Sequence, residues 1–155
     1  MRPDRLTIKS QEALQAAAGI ADRMGNPEIL PEHLLAALIE QKDSVVAPIL
    51  QKIGVDLGAL ASEVNNALNA LPRLSGQGMS QPHLSAPAQR VLDAADKEAQ
   101  RLKDEYVSTE HLLLALAKQH RSGPAELLKR HGATENAILG AMAAVRGSQR
   151  VTDPN

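Results

Sequence analysis

The chain contains no cysteine, tryptophan or phenylalanine, and only one tyrosine, Tyr106. Without cysteine there is no disulfide, no thiolate nucleophile and no thiolate metal site, which suits a reducing compartment. Without aromatics a core has to be assembled from Leu, Ile, Val, Ala and Met. A chain that is 43% hydrophobic and rich in Ala and Leu favours helix over strand. No apolar run approaches the roughly 18 residues of a membrane span, and no apolar signal core follows Met1-Arg2-Pro3-Asp4-Arg5. A net charge of −1 over 155 residues offers no basic excess for nucleic acid. Also missing are a Gly-x-x-x-x-Gly-Lys phosphate loop, a His-Glu-x-x-His helix and a Gly-x-Ser-x-Gly elbow, so neither nucleotide binding nor a small hydrolase is indicated. The expectation is a cytoplasmic, non-enzymatic protein without cofactor, membrane or nucleic-acid partner.

What is present is a repeat. Glu32-His33-Leu34-Leu35-Ala36-Ala37-Leu38 recurs as Glu110-His111-Leu112-Leu113-Leu114-Ala115-Leu116. The same ungapped offset carries Leu6 onto Leu84, Gln11 onto Gln89, Leu14 onto Leu92, Ser44 onto Ser122 and Gly54 onto Gly132. Self-similarity at one fixed period means one structural unit written twice. The expected organisation is a first four-helix repeat over 1–71, a connecting loop over 72–83, a second repeat over 84–146 and a linker tail over 147–155. The fold class is all-α: eight helices as two tandem repeats related by pseudo-two-fold symmetry, in one globular domain with a groove where the copies meet.

Capping residues set the helix starts. Thr7, Asp56, Ser85, Ser108 and Thr134 each precede an apolar stripe at helical spacing and can accept an orphan N–H of the first turn. Ser44 and Ser122 are read the same way for the third helix of each copy, with Pro48 an anomaly in the first turns. Pro31 suits the first position of the second helix, and Gly54 and Gly132 suit left-handed helix ends.

His33 and His111 occupy equivalent places at helix starts. A metal between them would require the two to approach across the pseudo-axis, and a structural role is the simpler reading. Glu32 and Glu110 are placed to interact with helix N-termini. From the residues alone, Asp104 reads as a solvated side chain and Tyr106 as half-buried.

Five segments together carry a family resemblance: Met1 to Thr7, Pro31-Glu32-His33-Leu34, Ala67-Leu68-Asn69-Ala70-Leu71-Pro72, Tyr106-Val107-Ser108-Thr109-Glu110, and Arg146 to Asp153. In their order they resemble the amino-terminal domain of ClpB-type disaggregases, over the entire chain. The related ClpA and ClpC chaperones share the doubled helical domain. The opening Asp4-Arg5-Leu6-Thr7, the Leu71-Pro72 junction and the closing Arg150-Val151-Thr152-Asp153 favour ClpB; an adaptor- or substrate-docking domain of a ClpA/ClpC-type protease chaperone is the alternative.

The resemblance implies a substrate-binding module on a flexible linker, above a hexameric ring of AAA+ ATPase modules. Those modules, absent from this chain, would bind ATP and magnesium and thread aggregated polypeptides with help from a DnaK-type chaperone. It further implies a substrate site at Thr7, Asp104 and Glu110, and an apolar groove near Leu92, Ala94 and His111. Ala94 and His111 are smaller or more polar than the leucines often found there.

Overall fold

The computed structural model describes residues 3–74, 81–147 and 150–155. The expected connection at 72–83 and tail at 147–155 therefore lie partly outside the described residues. Among those residues a single 3-10 turn, Pro3–Arg5, precedes eight α-helices. They are α1 (Ile8–Arg23), α2 (Pro31–Glu40), α3 (Val46–Ile53), α4 (Leu57–Asn69), α5 (Ala86–Arg101), α6 (Thr109–Lys118), α7 (Gly123–Arg130) and α8 (Glu135–Arg146). The bounds of α1 and α2 recur in α5 and α6 at the offset that carries Glu32 onto Glu110.

The caps explain most of the starts. Thr7, Asp56, Ser85, Ser122 and Thr134 each accept the N–H of the residue three further on, at 3.1–3.2 Å. Ser44 is a correction. The residue at the cap of α3 is Val45, and the Ser44 hydroxyl instead accepts the Val46 N–H at 3.3 Å. Pro48 thereby falls in the first turn of α3, where an N–H has no intrahelical partner to lose.

Helices α2 and α6 start differently. The residue in the third helical position is a histidine in both, and its Nδ1 accepts the cap residue's backbone N–H: Leu30 to His33 and Ser108 to His111, both at 2.9 Å. This is the backward arm of a capping box, supplied by imidazole in place of Glu or Gln. Buried residues run almost without interruption through Pro31–Leu38 and Thr109–Leu116. A helix that is apolar nearly all round has to be surrounded, and α2 and α6 each pack against helices of both copies. One hydrophobic cluster draws on both halves, with Leu34, Leu35, Leu38, Leu112, Leu113, Leu114 and Leu116 among its fully buried side chains.

Short extended segments also tie the copies together. Glu28–Ile29 pairs in parallel with His83–Leu84, and Leu6 forms an isolated parallel bridge with Val107. The two ties are reciprocal: Leu84 is the second-copy counterpart of Leu6, and Val107 that of Ile29. Correspondingly, Thr7 N–H donates to the Val107 carbonyl at 3.0 Å and Ser85 N–H to the Ile29 carbonyl at 3.1 Å. Reciprocal contacts of this kind are the pattern that a two-fold relation produces.

Candidate functional site

After α5 the chain turns through Lys103, a non-glycine residue at φ 62°, and tucks Asp104 under the surface. The Asp104 side chain is 0% exposed. Its Oδ2 accepts from His111 Nε2 at 2.7 Å, and its Oδ1 accepts from Arg146 Nη2 at 2.6 Å and from the Val151 backbone N–H at 2.8 Å. Burial by itself pushes this carboxyl up. The hydrogen bonds from Arg146, Val151 and His111, with the arginine charge, outweigh it and hold the group below its ordinary value. Asp104 is therefore not the solvated side chain that its local sequence suggests. Its partners Arg146 and Val151 are remote in the chain, and no local rule brings them there.

Arg146 links this carboxylate to a second one, its Nε lying 3.6 Å from Glu110 Oε2. The Ser108 hydroxyl donates to the other oxygen of Glu110. Glu110 is buried in the first turn of α6, where a negative charge also meets the positive end of the helix dipole. Thr7 joins the group through main chain: the Val107 carbonyl receives both the Thr7 N–H and, at 2.9 Å, the Ser10 hydroxyl. Thr7 and Glu110 thus line one open cleft of about 520 Å³. Asp43, Ser44 and Val45 of the first copy contribute to its walls, as do Val145, Arg146, and Arg150–Asp153.

Of the six residues expected at the site, Thr7 and Glu110 line the cleft, and Asp104 lies beneath it, reaching it through Arg146. Leu92 is 5% exposed and belongs to the core, Ala94 is half-buried on α5, and His111 is 0% exposed. None of these three lines the cleft, so an apolar groove at Leu92, Ala94 and His111 does not coincide with the Thr7–Glu110 opening. Tyr106 is half-buried, as expected.

Ser108, His111 and Asp104 superficially resemble a hydrolase triad, since Ser108 Oγ is 3.4 Å from His111 Nδ1. The chemistry fails, because Nδ1 already accepts the Ser108 backbone N–H and has no lone pair left to take a proton. The ring positions Asp104 and caps α6. The same argument removes the metal reading: in His33, Nδ1 holds the Leu30 N–H and Nε2 meets Asn26 Oδ1 at 2.9 Å. Among the described residues no group of three or more His, Asp or Glu side chains could hold a metal ion.

Arg146 was legible only as part of a closing motif. Another charged group was not anticipated at all: Glu98, buried on α5, is bonded by Lys118 and Arg101. Burial raises the Glu98 carboxyl, and the hydrogen bonds from Lys118 and Arg101 bring it net below its ordinary value.

An all-α domain of eight helices in two copies is a recognisable class, and comparison places it. Residues 5–131 match the Clp repeat (R) N-terminal domain. Chaperone protein ClpB of Rhodopirellula baltica is 44% identical over 154 residues, covering 99% of this chain and 17% of that protein. Chaperone protein ClpB of Corynebacterium glutamicum is 46% identical over 146 residues, covering 94% and 17%. The crystal structure of the Hsp104 N-terminal domain from Candida albicans superposes with a TM-score of 0.83 at 26% identity, covering 97% of both chains. A ClpV N-domain in complex with a VipB peptide shares the fold, with a TM-score of 0.60 at 20% identity and 89% of each chain covered.

The chain belongs to the Clp N-domain family and is similar to the amino-terminal part of ClpB chaperones. That domain is non-catalytic, and the ATPase modules lie elsewhere in the full-length relatives. The chain spans about a sixth of the length of the curated relatives it matches. Among the described residues no helix is long and apolar enough to cross a membrane.

Proposed function

We propose that this chain is the module of an ATP-dependent, cytoplasmic disaggregase that holds exposed apolar segments of unfolded or aggregated polypeptides. In this reading repeats 1–71 and 84–146 form one platform, and the site is the cleft rimmed by Thr7, Glu110 and Arg146, with Asp104 beneath it. The observation that carries it is the cluster itself. A buried ion pair contributes little net stability against apolar residues of similar volume. At the position equivalent to Arg146 the first copy has Leu68, fully within the core. The scaffold therefore does not need the charges, and their presence beside an open cleft supports a binding role.

Val45, Val145 and Val151 give the cleft aliphatic surface, and Glu110 and Arg146 give it polar anchors. The three valines are the aliphatic part of a lining that is otherwise polar or charged. The ClpV N-domain with its VipB peptide supports only that this fold can seat a peptide. Weak contact suffices, because tethering to a hexameric ATPase ring, served by a DnaK-type chaperone, raises local concentration at the pore. ATP and magnesium would act in those modules. The test is an NMR titration of the isotope-labelled chain with a permanently unfolded model protein. Saturable shifts at Thr7, Ser108 and Glu110 are expected. Shifts confined to other faces, or none, would overturn the assignment.

A further inference from the structure

One wall of the cleft is the chain's own segment beyond α8, with Arg150–Asp153 and Asn155 among the lining residues. Its attachments are made by main-chain atoms at two places. Val151 N–H donates to Asp104 Oδ1 at 2.8 Å, and the Val151 carbonyl accepts from the Glu105 N–H at 2.7 Å. Three residues further on, the Pro154 carbonyl accepts from the Ile8 N–H at 2.7 Å. Ile8 is the first residue of α1, and its N–H has no partner within the helix. Between these attachments the side chains of Thr152 and Asp153 are exposed. Only Val151 is half-buried, lining the cleft with Val45 and Val145.

The first copy holds the chain beyond α4 without a charged acceptor, the Leu74 N–H donating to the Gly25 carbonyl at 2.8 Å. There Asn26 stands in place of Asp104, and its amide donates to the Pro72 carbonyl at 2.9 Å. The second copy alone presents a charged acceptor to a passing main chain.

We infer that Arg150–Asn155 is a displaceable strap that occupies the substrate cleft, and that the cleft recognises a polypeptide as an extended main chain. An incoming segment replaces the strap by giving one N–H to the Asp104 carboxylate and one carbonyl to the Ile8 N–H. An aliphatic side chain goes to the place of Val151. Recognition through backbone groups tolerates almost any sequence, which fits the substrate reading above, on which this inference rests. A strap held by three main-chain bonds and one half-buried side chain is weak enough to leave.

The test uses the full chain and two substitutions. Val151→Pro removes the N–H given to Asp104, and Val151→Gly removes the aliphatic anchor and loosens the segment. If the strap covers the cleft about nine-tenths of the time, opening it tightens binding about tenfold, since apparent affinity is reduced by the fraction competent. Both variants should bind an unfolded model protein more tightly than the parent at unchanged helical content. A synthetic peptide of the sequence 150–155 should compete for the opened cleft. In the parent, the Val151 amide should exchange slowly and lose protection when the unfolded protein binds. Equal affinities with Val151 still protected in the complex would overturn the strap and leave the substrate reading standing. No binding by parent or variants, with the Val151 amide protected, would overturn the substrate reading and the inference with it.

Discussion

The two copies share their helices and differ in where they put charge. Leu34 and Leu112 are both buried, and His33 and His111 both cap their helix by the same backward bond. At three other equivalent places the first copy has Ile20, Asn26 and Leu68, and the second has Glu98, Asp104 and Arg146. Glu32 is half-exposed, whereas Glu110 is buried against Ser108 and Arg146. The first copy thus acts as a control for the second: the fold is made with neutral residues at these positions, and the charged set is an addition. Function sits in sites grafted onto a scaffold, and here the ungrafted scaffold is in the same molecule.

The largest expected effects should be equal between copies. Leu34→Ala and Leu112→Ala should each cost about 2–5 kcal/mol, because both remove a fully buried side chain. Urea denaturation of the two variants measures this, and a small loss for one alone would break the equivalence of α2 and α6.

The next effect should differ between copies. Asp104→Asn takes the closer carboxylate from Arg146, leaving it Glu110 at 3.6 Å, and should cost up to about 3 kcal/mol. The double variant Asp104→Asn/Arg146→Leu puts the first copy's residues at both places and should recover part of that loss, Glu110 then lacking its arginine. If the double variant is no more stable than the single one, the view that the scaffold does not need the charges fails.

Acid should separate the copies again. Burial holds the His33 pKa below its ordinary value. As pH falls through about 6.5 the unfolded chain takes up that proton first, so the His33 contribution declines from there. Asp104 and Glu98 have folded pKa values below their unfolded ones. Their contributions are complete above about pH 4 and are lost as pH falls towards the folded values. Thermal midpoints between pH 3 and 7 should show two declines, and His33→Asn should abolish the upper one while leaving the lower.

The fold was legible because its signals are local or periodic. The caps at Thr7, Asp56, Ser85, Ser122 and Thr134 stand where their neighbours in sequence put them. Ser44 misled by one residue, because the cap position of α3 falls on Val45, whose side chain cannot accept a hydrogen bond and which no capping preference announces. The pairing of Glu28–Ile29 with His83–Leu84 is too short for any period to announce it. The site was less legible. Thr7, Asp104 and Glu110 came from family resemblance, and from the residues alone Asp104 looked solvated. Its ligands Arg146 and Val151 arrive only when α8 and the segment beyond it fold back. His111, carried over as a groove residue, is fully buried and makes two internal hydrogen bonds.

Among the smaller effects are the caps. Thr7→Ala and Ser85→Ala should each cost about 1 kcal/mol, because the capping bonds they lose are alike. Differential scanning calorimetry resolves such a difference, and a Thr7 loss several times that of Ser85 would mean that Thr7 does structural work beyond its cap.

That near-equality in stability is what makes binding decisive. The central claim is that only the Thr7–Glu110 side of this doubled domain holds unfolded polypeptide. The measurement is fluorescence anisotropy of a labelled, permanently unfolded model protein against four variants: Thr7→Ala and Glu110→Ala, beside their counterparts Ser85→Ala and Glu32→Ala, each well below its thermal midpoint. Weaker binding by Thr7→Ala and Glu110→Ala, with Ser85→Ala and Glu32→Ala at the parent's affinity, is the predicted result. Equal affinity across all four would contradict the account and return Thr7 and Glu110 to the status of ordinary helix-end residues.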